Sequence, residues 1–181
     1  MELLSYMKMS GTCVCQMTNA ISVCSVNAKS EFKVMNLECL FAYSYLWAWG
    51  FCSMQEYNVH LDRMFSETPD NKMLLELEEC SNNYRDTFER LKRYFEYETD
   101  TFNSHIFGKT LFSGLESVYK SDVYTIAEFG KICYQLWNLL PGFLVQEQPF
   151  WTLSYADEPL SWGDEKQSRI MYEEAFSFYK D

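Results

Sequence analysis

Histidine and paired carboxylates are the side chains of this sequence best suited to acid–base catalysis or metal binding. The two histidines, His60 and His105, stand far apart, and neither belongs to a His-Glu-x-x-His motif. Acid–base catalysis needs two carboxyl groups that face one cleft and differ in pKa, which adjacency in sequence does not provide. Adjacent carboxylates stand at Glu78-Glu79, Asp157-Glu158, Asp164-Glu165 and Glu173-Glu174. The sequence therefore predicts no catalytic residue and a protein that is not an enzyme.

The cysteines favour free thiols over disulfides or a metal site. Their number is odd, and no pair has the Cys-x-x-Cys spacing of common zinc ligands. A zinc site would have to combine Cys13, Cys15 and Cys24 with His60, and Cys13-x-Cys15 is not a usual ligand spacing. The first residues also lack the basic-then-apolar order of a secretory signal. We therefore expect no metal, no cofactor and a cytoplasmic location. The cysteines are Cys13, Cys15, Cys24, Cys39, Cys52, Cys80 and Cys133.

The chain combines a formal net charge of -11 with an aromatic content of 18%. A polyanionic nucleic acid would be repelled by such a surface, so direct nucleic-acid binding is not expected. A basic protein is a suitable partner, because carboxylates attract cations and aromatic side chains supply large contact area. The alternative reading is that the charge only keeps the protein soluble.

A membrane span is not expected either. From Cys39 to Met54 the sequence is uncharged and rich in aromatic residues. This stretch is shorter than the roughly 20 residues that cross a bilayer, and Glu38 and Glu56 flank it. A core helix explains it better, and we predict a helix from Glu31 to Cys52 that is buried on most sides.

The sequence predicts a mainly α fold, an irregular single-domain bundle of about five helices. Residues 1–30 are predicted as a short β-hairpin or a poorly ordered segment, and residues 31–181 as the helical domain. After a connection over Gln55 to Ser66, a helix is predicted from Thr68 to Phe95, supported by Glu89–Arg93 and Asp86–Arg90 pairs at a separation of four. Further helices are predicted over residues 101–120, from a Thr125–Glu128 capping box to Leu140, and from Ser161 or Asp164 towards Tyr179.

The stretch from residue 149 to residue 165, here called the acidic-aromatic loop, follows no helical pattern. Its bulky rings and carboxylates would suit aromatic anchors surrounded by charges that steer a basic partner. The structural alternative is that its tryptophans pack under the loop and fill the bundle. The candidate partner-binding residues are Trp151, Tyr155, Asp157, Glu158, Trp162, Asp164 and Glu165.

In size, acidity and lack of catalytic motifs, the chain resembles bacterial toxin-neutralising immunity proteins. That resemblance implies a non-enzymatic inhibitor of a cognate toxin, often a nuclease with a cationic active site. One alternative is a helical small-molecule-binding or sensory domain; others are an enzyme built from distant residues and a homodimer formed through exposed aromatic side chains. The small-molecule pocket would be lined by Phe41, Tyr43, Tyr45, Trp47 and Trp49.

Overall fold

The computed structural model describes residues 36–180, and this part of the chain is mainly helical, as predicted. It contains no strand between residues 36 and 180. The prediction for residues 1–30 lies outside the described residues. Short 3₁₀ helices cover Thr99–Thr101, Phe150–Ser154 and Glu158–Trp162. The seven α-helices of the described part are α1 (Leu37–Ala48), α2 (Met54–Glu67), α3 (Lys72–Glu79), α4 (Tyr84–Tyr97), α5 (Ser104–Lys120), α6 (Ile126–Leu139) and α7 (Glu165–Ser177).

Helix α1 lies at the centre of the described fold, because it packs against α2, α4 and α5. Its Phe41 and Tyr45 side chains are fully buried. The centroid of the Phe41 ring lies 5.2 Å from that of Phe95 in α4 and 5.3 Å from that of Phe107 in α5. The apolar run is thus a core helix as far as Ala48, with rings that pack against those of its neighbours, and this helix ends before the predicted Cys52. Among residues 36–180, no helix has the length and apolar character needed to cross a membrane.

Helix α2 occupies the stretch from Gln55 to Ser66 that was predicted to be a connection, so that prediction is wrong. It begins with a capping box: the Glu56 backbone N–H donates to Ser53 Oγ at 3.1 Å, and the Ser53 backbone N–H donates to Glu56 Oε2 at 2.7 Å. Its buried side chains are Tyr57, Leu61 and Met64, which recur at intervals of four and three residues. The short apolar stripe and the capping box together produce a helix that the prediction missed.

The continuous helix predicted from Thr68 to Phe95 is divided into α3 and α4 by residues 80–83. Each half has its own asparagine cap. Asn71 Oδ1 accepts hydrogen bonds from two backbone amides at the start of α3, and Asn83 Oδ1 accepts one at the start of α4. Residues 80–83 contain neither glycine nor proline, and the cap formed by Asn83 marks the start of the new helix.

The ion pairs expected along α4 are replaced by one that joins α4 to α3. Arg90 Nη1 lies 3.4 Å from Glu76 Oε2. Neither Asp86 nor Arg93 forms an ion pair within the described residues. The charged side chains of α4 are therefore mostly available to groups outside this helix.

Helices α2 and α3 bring two carboxyl groups close together, those of Asp62 and Glu78. Burial raises the pKa of Glu78, and the charge of Asp62 and a hydrogen bond between the two carboxyl groups raise it further. Since the pKa of Glu78 is higher in the folded chain than in the unfolded chain, the folded chain binds this proton more tightly. The protonated Glu78 side chain therefore stabilises the fold at low pH, and this stabilisation is lost as the pH rises through the folded-state pKa of Glu78.

We predict that Glu78→Gln stabilises the protein at neutral pH, by about 0.5 kcal/mol, because it removes the repulsion between two partly solvated carboxylates. Urea unfolding at about pH 5 and about pH 7 measures the effect and should show a smaller loss of stability with rising pH in the variant. Glu79→Gln, at the exposed neighbouring position, is the matched control. A Glu78→Gln variant that is less stable than the parent at neutral pH would contradict the prediction.

The C-terminal half of the described fold is built on α5, which packs against both α1 and α7. The predicted capping box at the start of α6 is confirmed: the Glu128 backbone N–H donates to Thr125 Oγ1, and the Thr125 backbone N–H donates to Glu128 Oε2. Hydrogen bonds from the backbone and side chain of Thr125 lower the pKa of Glu128. Helices α6 and α7 are the elements that hold the acidic-aromatic loop between them.

Candidate functional site

The acidic-aromatic loop is an ordered element made of two consecutive 3₁₀ helices. The first, Phe150–Ser154, packs against α6 and α7, and the second, Glu158–Trp162, packs against α7. Backbone hydrogen bonds run from Trp151 N to Glu147 O and from Ala156 N to Thr152 O. The loop therefore has a defined backbone conformation rather than an extended path across the surface.

Buried apolar side chains fix the loop to the helices beneath it. Phe150, Leu153 and Ala156 are fully buried, and Pro159 is also buried. The centroid of the Phe150 ring lies 5.5 Å from that of Phe112 in α5. These buried side chains hold Trp151 and Glu158, which lie between them in the sequence, at the surface.

The two tryptophans of the loop face solvent. Trp151 is 47% exposed and Trp162 is 66% exposed. The Trp151 ring packs beside Tyr155, with the ring centroids 5.3 Å apart. The alternative in which these tryptophans fill the bundle does not match this arrangement, because Phe150 and Leu153 take the buried positions instead. Exposed rings on a rigid backbone provide contact area at low entropic cost.

Three of the four predicted carboxylates lie at the surface. Glu158 is exposed, and Asp164 caps α7 by accepting a hydrogen bond from the Gln167 backbone N–H at 3.0 Å. Glu165 forms an ion pair with Arg169, with 2.7 Å between Glu165 Oε1 and Arg169 Nη2. Asp164 and Glu165 thus have structural roles at the start of the helix and still present negative charge to solvent.

The fourth predicted carboxylate, Asp157, is half-buried and packs against α6. A Cβ atom added at Gly130 would lie 2.5 Å from Asp157 Cβ, so the loop and helix approach as closely as glycine permits. Burial and the nearby charge of Asp157 raise the pKa of the Cys133 thiol. Burial, followed by Cys133 and Asp157, raises the pKa of the Tyr172 hydroxyl. Asp157 therefore connects the loop to the core, and it differs from the other three carboxylates in its exposure.

The structure also contains a surface groove that the sequence analysis did not identify. It lies between α3 and α4 and has a volume of about 650 Å³. The signal in the sequence is the charged stripe of α4, whose spacing predicts ion pairs within the helix instead. The residues that line this α3–α4 groove are Lys72, Met73, Glu76, Asp86, Glu89, Arg90, Arg93, Tyr94 and Tyr97.

The aromatic residues predicted to line a small-molecule pocket pack against other rings. Phe41 and Tyr45 are fully buried against other rings, Trp47 stacks on Tyr57, and Tyr43 stacks on His60 with the ring centroids 4.0 Å apart. Burial, followed by the charge of Arg63, lowers the pKa of His60. Within residues 36–180, no three or more His, Cys, Asp or Glu side chains are grouped so that they could hold a metal ion. Cys13, Cys15 and Cys24 lie outside this part.

Comparisons of the chain with protein families, with curated proteins and with solved structures found no match.

Proposed function

We propose that this protein binds and neutralises a basic partner protein through the acidic-aromatic loop, and that it has no enzymatic activity of its own. Trp151 and Trp162 act as anchors that insert into the partner's surface. Glu158, Asp164 and Glu165 steer cationic groups of the partner towards these anchors.

The observation that carries the proposal is the exposure of two tryptophans on a loop that is fixed to the helices by the buried side chains of Phe150, Leu153 and Ala156. Each Å² of apolar surface that remains in water is less favourable by roughly 25 cal/mol than the same surface when buried. A fold that holds Trp151 and Trp162 in solvent, while it buries Phe150 next to Trp151, presents ready-made contact area. Tryptophan is also among the residues enriched at the energetically dominant positions of protein interfaces.

Charge determines which kind of partner is favoured. The chain carries a net charge of -11, so an acidic protein would be repelled at long range and a basic one attracted. The exposed ion pair with Arg169 offsets part of the charge of Glu165, whereas Glu158 forms no ion pair within the described residues. The loop therefore retains local negative charge next to Trp162.

A basic enzyme that acts on nucleic acid is the partner class that this chemistry fits best. Such an enzyme has a cationic surface for phosphate groups, and an acidic protein can cover it by charge complementarity. The proposal thus agrees with the resemblance to bacterial toxin immunity proteins, with a toxin nuclease domain as the partner. A toxin-like gene directly upstream of the gene for this protein would support that assignment.

The test is affinity capture with matched variants, using the full chain on a solid support and an extract of its native cells. We expect the parent chain to retain a basic protein at about 50 mM NaCl and to release it at about 500 mM. The double variant Trp151→Ala, Trp162→Ala should bind the retained protein with a dissociation constant at least 30-fold higher, equivalent to about 2 kcal/mol. Phe178→Ala, which removes an aromatic residue 57% exposed at another position, is the control.

Two outcomes would refute the proposal. One is equal retention of the same proteins by the parent chain and by the double tryptophan variant. The other is a retained protein that is acidic and resists elution by salt, because charge steering would then have no role.

A further inference from the structure

We propose that the α3–α4 groove is a homodimer interface, in which two copies of this chain pack α4 against α4 in antiparallel orientation. The interface lies on different helices from the acidic-aromatic loop. It therefore makes a claim separate from the proposed binding of a basic partner.

Helix α4 has two distinct faces. Thr87, Phe88, Leu91 and Phe95 are buried in the core. The opposite face lines the α3–α4 groove with residues that recur at intervals of three and four, which places them in one stripe along the helix. These residues are Asp86, Glu89, Arg90, Arg93, Tyr94 and Tyr97.

The order of charges along this stripe is polarised. Two carboxylates, Asp86 and Glu89, are followed by two cations, Arg90 and Arg93. If two such stripes lie antiparallel about a two-fold axis between positions 89 and 90, Asp86 faces Arg93 of the other copy and Glu89 faces Arg90. Parallel stripes would instead place like charges together. An isologous interface requires this kind of self-complementary patch.

The charge balance of the groove distinguishes it from the chain as a whole. Two copies that each carry a net charge of -11 repel one another, so a stable contact needs a surface where opposite charges are matched. The groove supplies three cations, Lys72, Arg90 and Arg93, and an equal number of carboxylates. Within the described residues, only Arg90 among these three cations forms an ion pair in its own chain.

Exposed tyrosines add apolar contact area to this polar stripe. Tyr97 is 83% exposed, and Tyr94 is half-buried beside it. Tyrosine is enriched at protein interfaces because its ring supplies area while its hydroxyl remains able to hydrogen-bond. A second copy of the chain would cover these rings as well as the charges, and we assign the groove to that occupant.

Sedimentation equilibrium of the full chain tests the proposal. With rising protein concentration, up to about 500 μM, the mass should increase from the monomer value of 21.5 kDa towards twice that value, and less so at about 500 mM NaCl. Arg93→Glu should weaken the dimer by at least about tenfold, since it places a third carboxylate on the stripe. Arg85→Glu, on α4 but outside the groove, is the matched control and should dimerise as the parent does.

A mixing experiment tests the antiparallel register. Arg93→Glu and Asp86→Arg variants should each fail to dimerise alone, but an equimolar mixture should form heterodimers because each reversed charge meets a reversed partner. Circular dichroism and urea unfolding establish that both variants fold. A chain that is monomeric at every concentration, a dimer unaffected by Arg93→Glu, or a mixture that stays monomeric would overturn the proposal. Binding of some other molecule in the groove of a monomeric chain would overturn it as well.

Discussion

Replacement of Phe41 by alanine is expected to lower the free energy of unfolding by about 3–5 kcal/mol. Phe41 is fully buried at the junction of α1, α4 and α5, and its ring lies near those of Tyr45, Phe95 and Phe107. Alanine would leave a cavity that these rigid rings cannot close, so both the burial and the ring contacts would be lost. Since small domains are stable by only about 5–15 kcal/mol, this loss would be a large part of the total.

Urea unfolding measures the effect, and Phe41→Leu keeps the comparison informative if the alanine variant does not fold. The leucine variant fills more of the cavity and should be more stable than the alanine variant. Phe178→Ala removes the same side chain at a 57% exposed position and should change stability by less than about 0.5 kcal/mol. If Phe41→Ala and Phe178→Ala had similar effects, α1 would not be the centre of the core.

Replacement of Gly130 by alanine is expected to destabilise the protein by about 1–3 kcal/mol. Inside a helix, alanine is normally more stable than glycine by about 0.5–1 kcal/mol, so the predicted sign is reversed. The reason is the contact with the acidic-aromatic loop, because the added Cβ would lie 2.5 Å from Asp157 Cβ and 3.1 Å from Asp157 Oδ2. The loop must shift away from α6 to admit the methyl group.

The comparison variant for this prediction is Gly142→Ala. A Cβ at Gly142 would have no atom within 4 Å, so stability should change by less than about 0.5 kcal/mol. Urea unfolding gives both values, and weaker binding of a basic partner by the Gly130→Ala variant would connect the loop's position to its function. A Gly130→Ala variant more stable than the parent would show that Asp157 does not pack closely on α6.

Helices with strong local signals could be predicted from the sequence, and those that depend on partners could not. The capping box at Thr125 and Glu128 correctly located the start of α6. The same type of box at Ser53 and Glu56 was present in the sequence, but the sparse apolar stripe that follows it was assigned to a connection. The break between α3 and α4 has no glycine or proline, and only Asn83 marks the new helix start.

The location of the acidic-aromatic loop could be predicted, but the exposure of its residues could not. Phe150 and Trp151 are neighbours of similar hydrophobicity, yet Phe150 is fully buried and Trp151 is 47% exposed. Packing against Phe112 of α5 decides between them, and that contact joins distant parts of the chain. The same limitation applies to Asp157, which carries the same charge as Glu158 but packs against Gly130.

The association rate of the captured partner, measured at several salt concentrations, tests the proposed function most directly. We predict that the rate falls at least tenfold between about 50 and about 500 mM NaCl, because charge steers the encounter. A variant with Glu158→Gln, Asp164→Asn and Glu165→Gln should associate more slowly and depend less on salt, while asparagine retains the cap of α7. A rate that does not respond to salt and is unchanged in this variant would contradict the account.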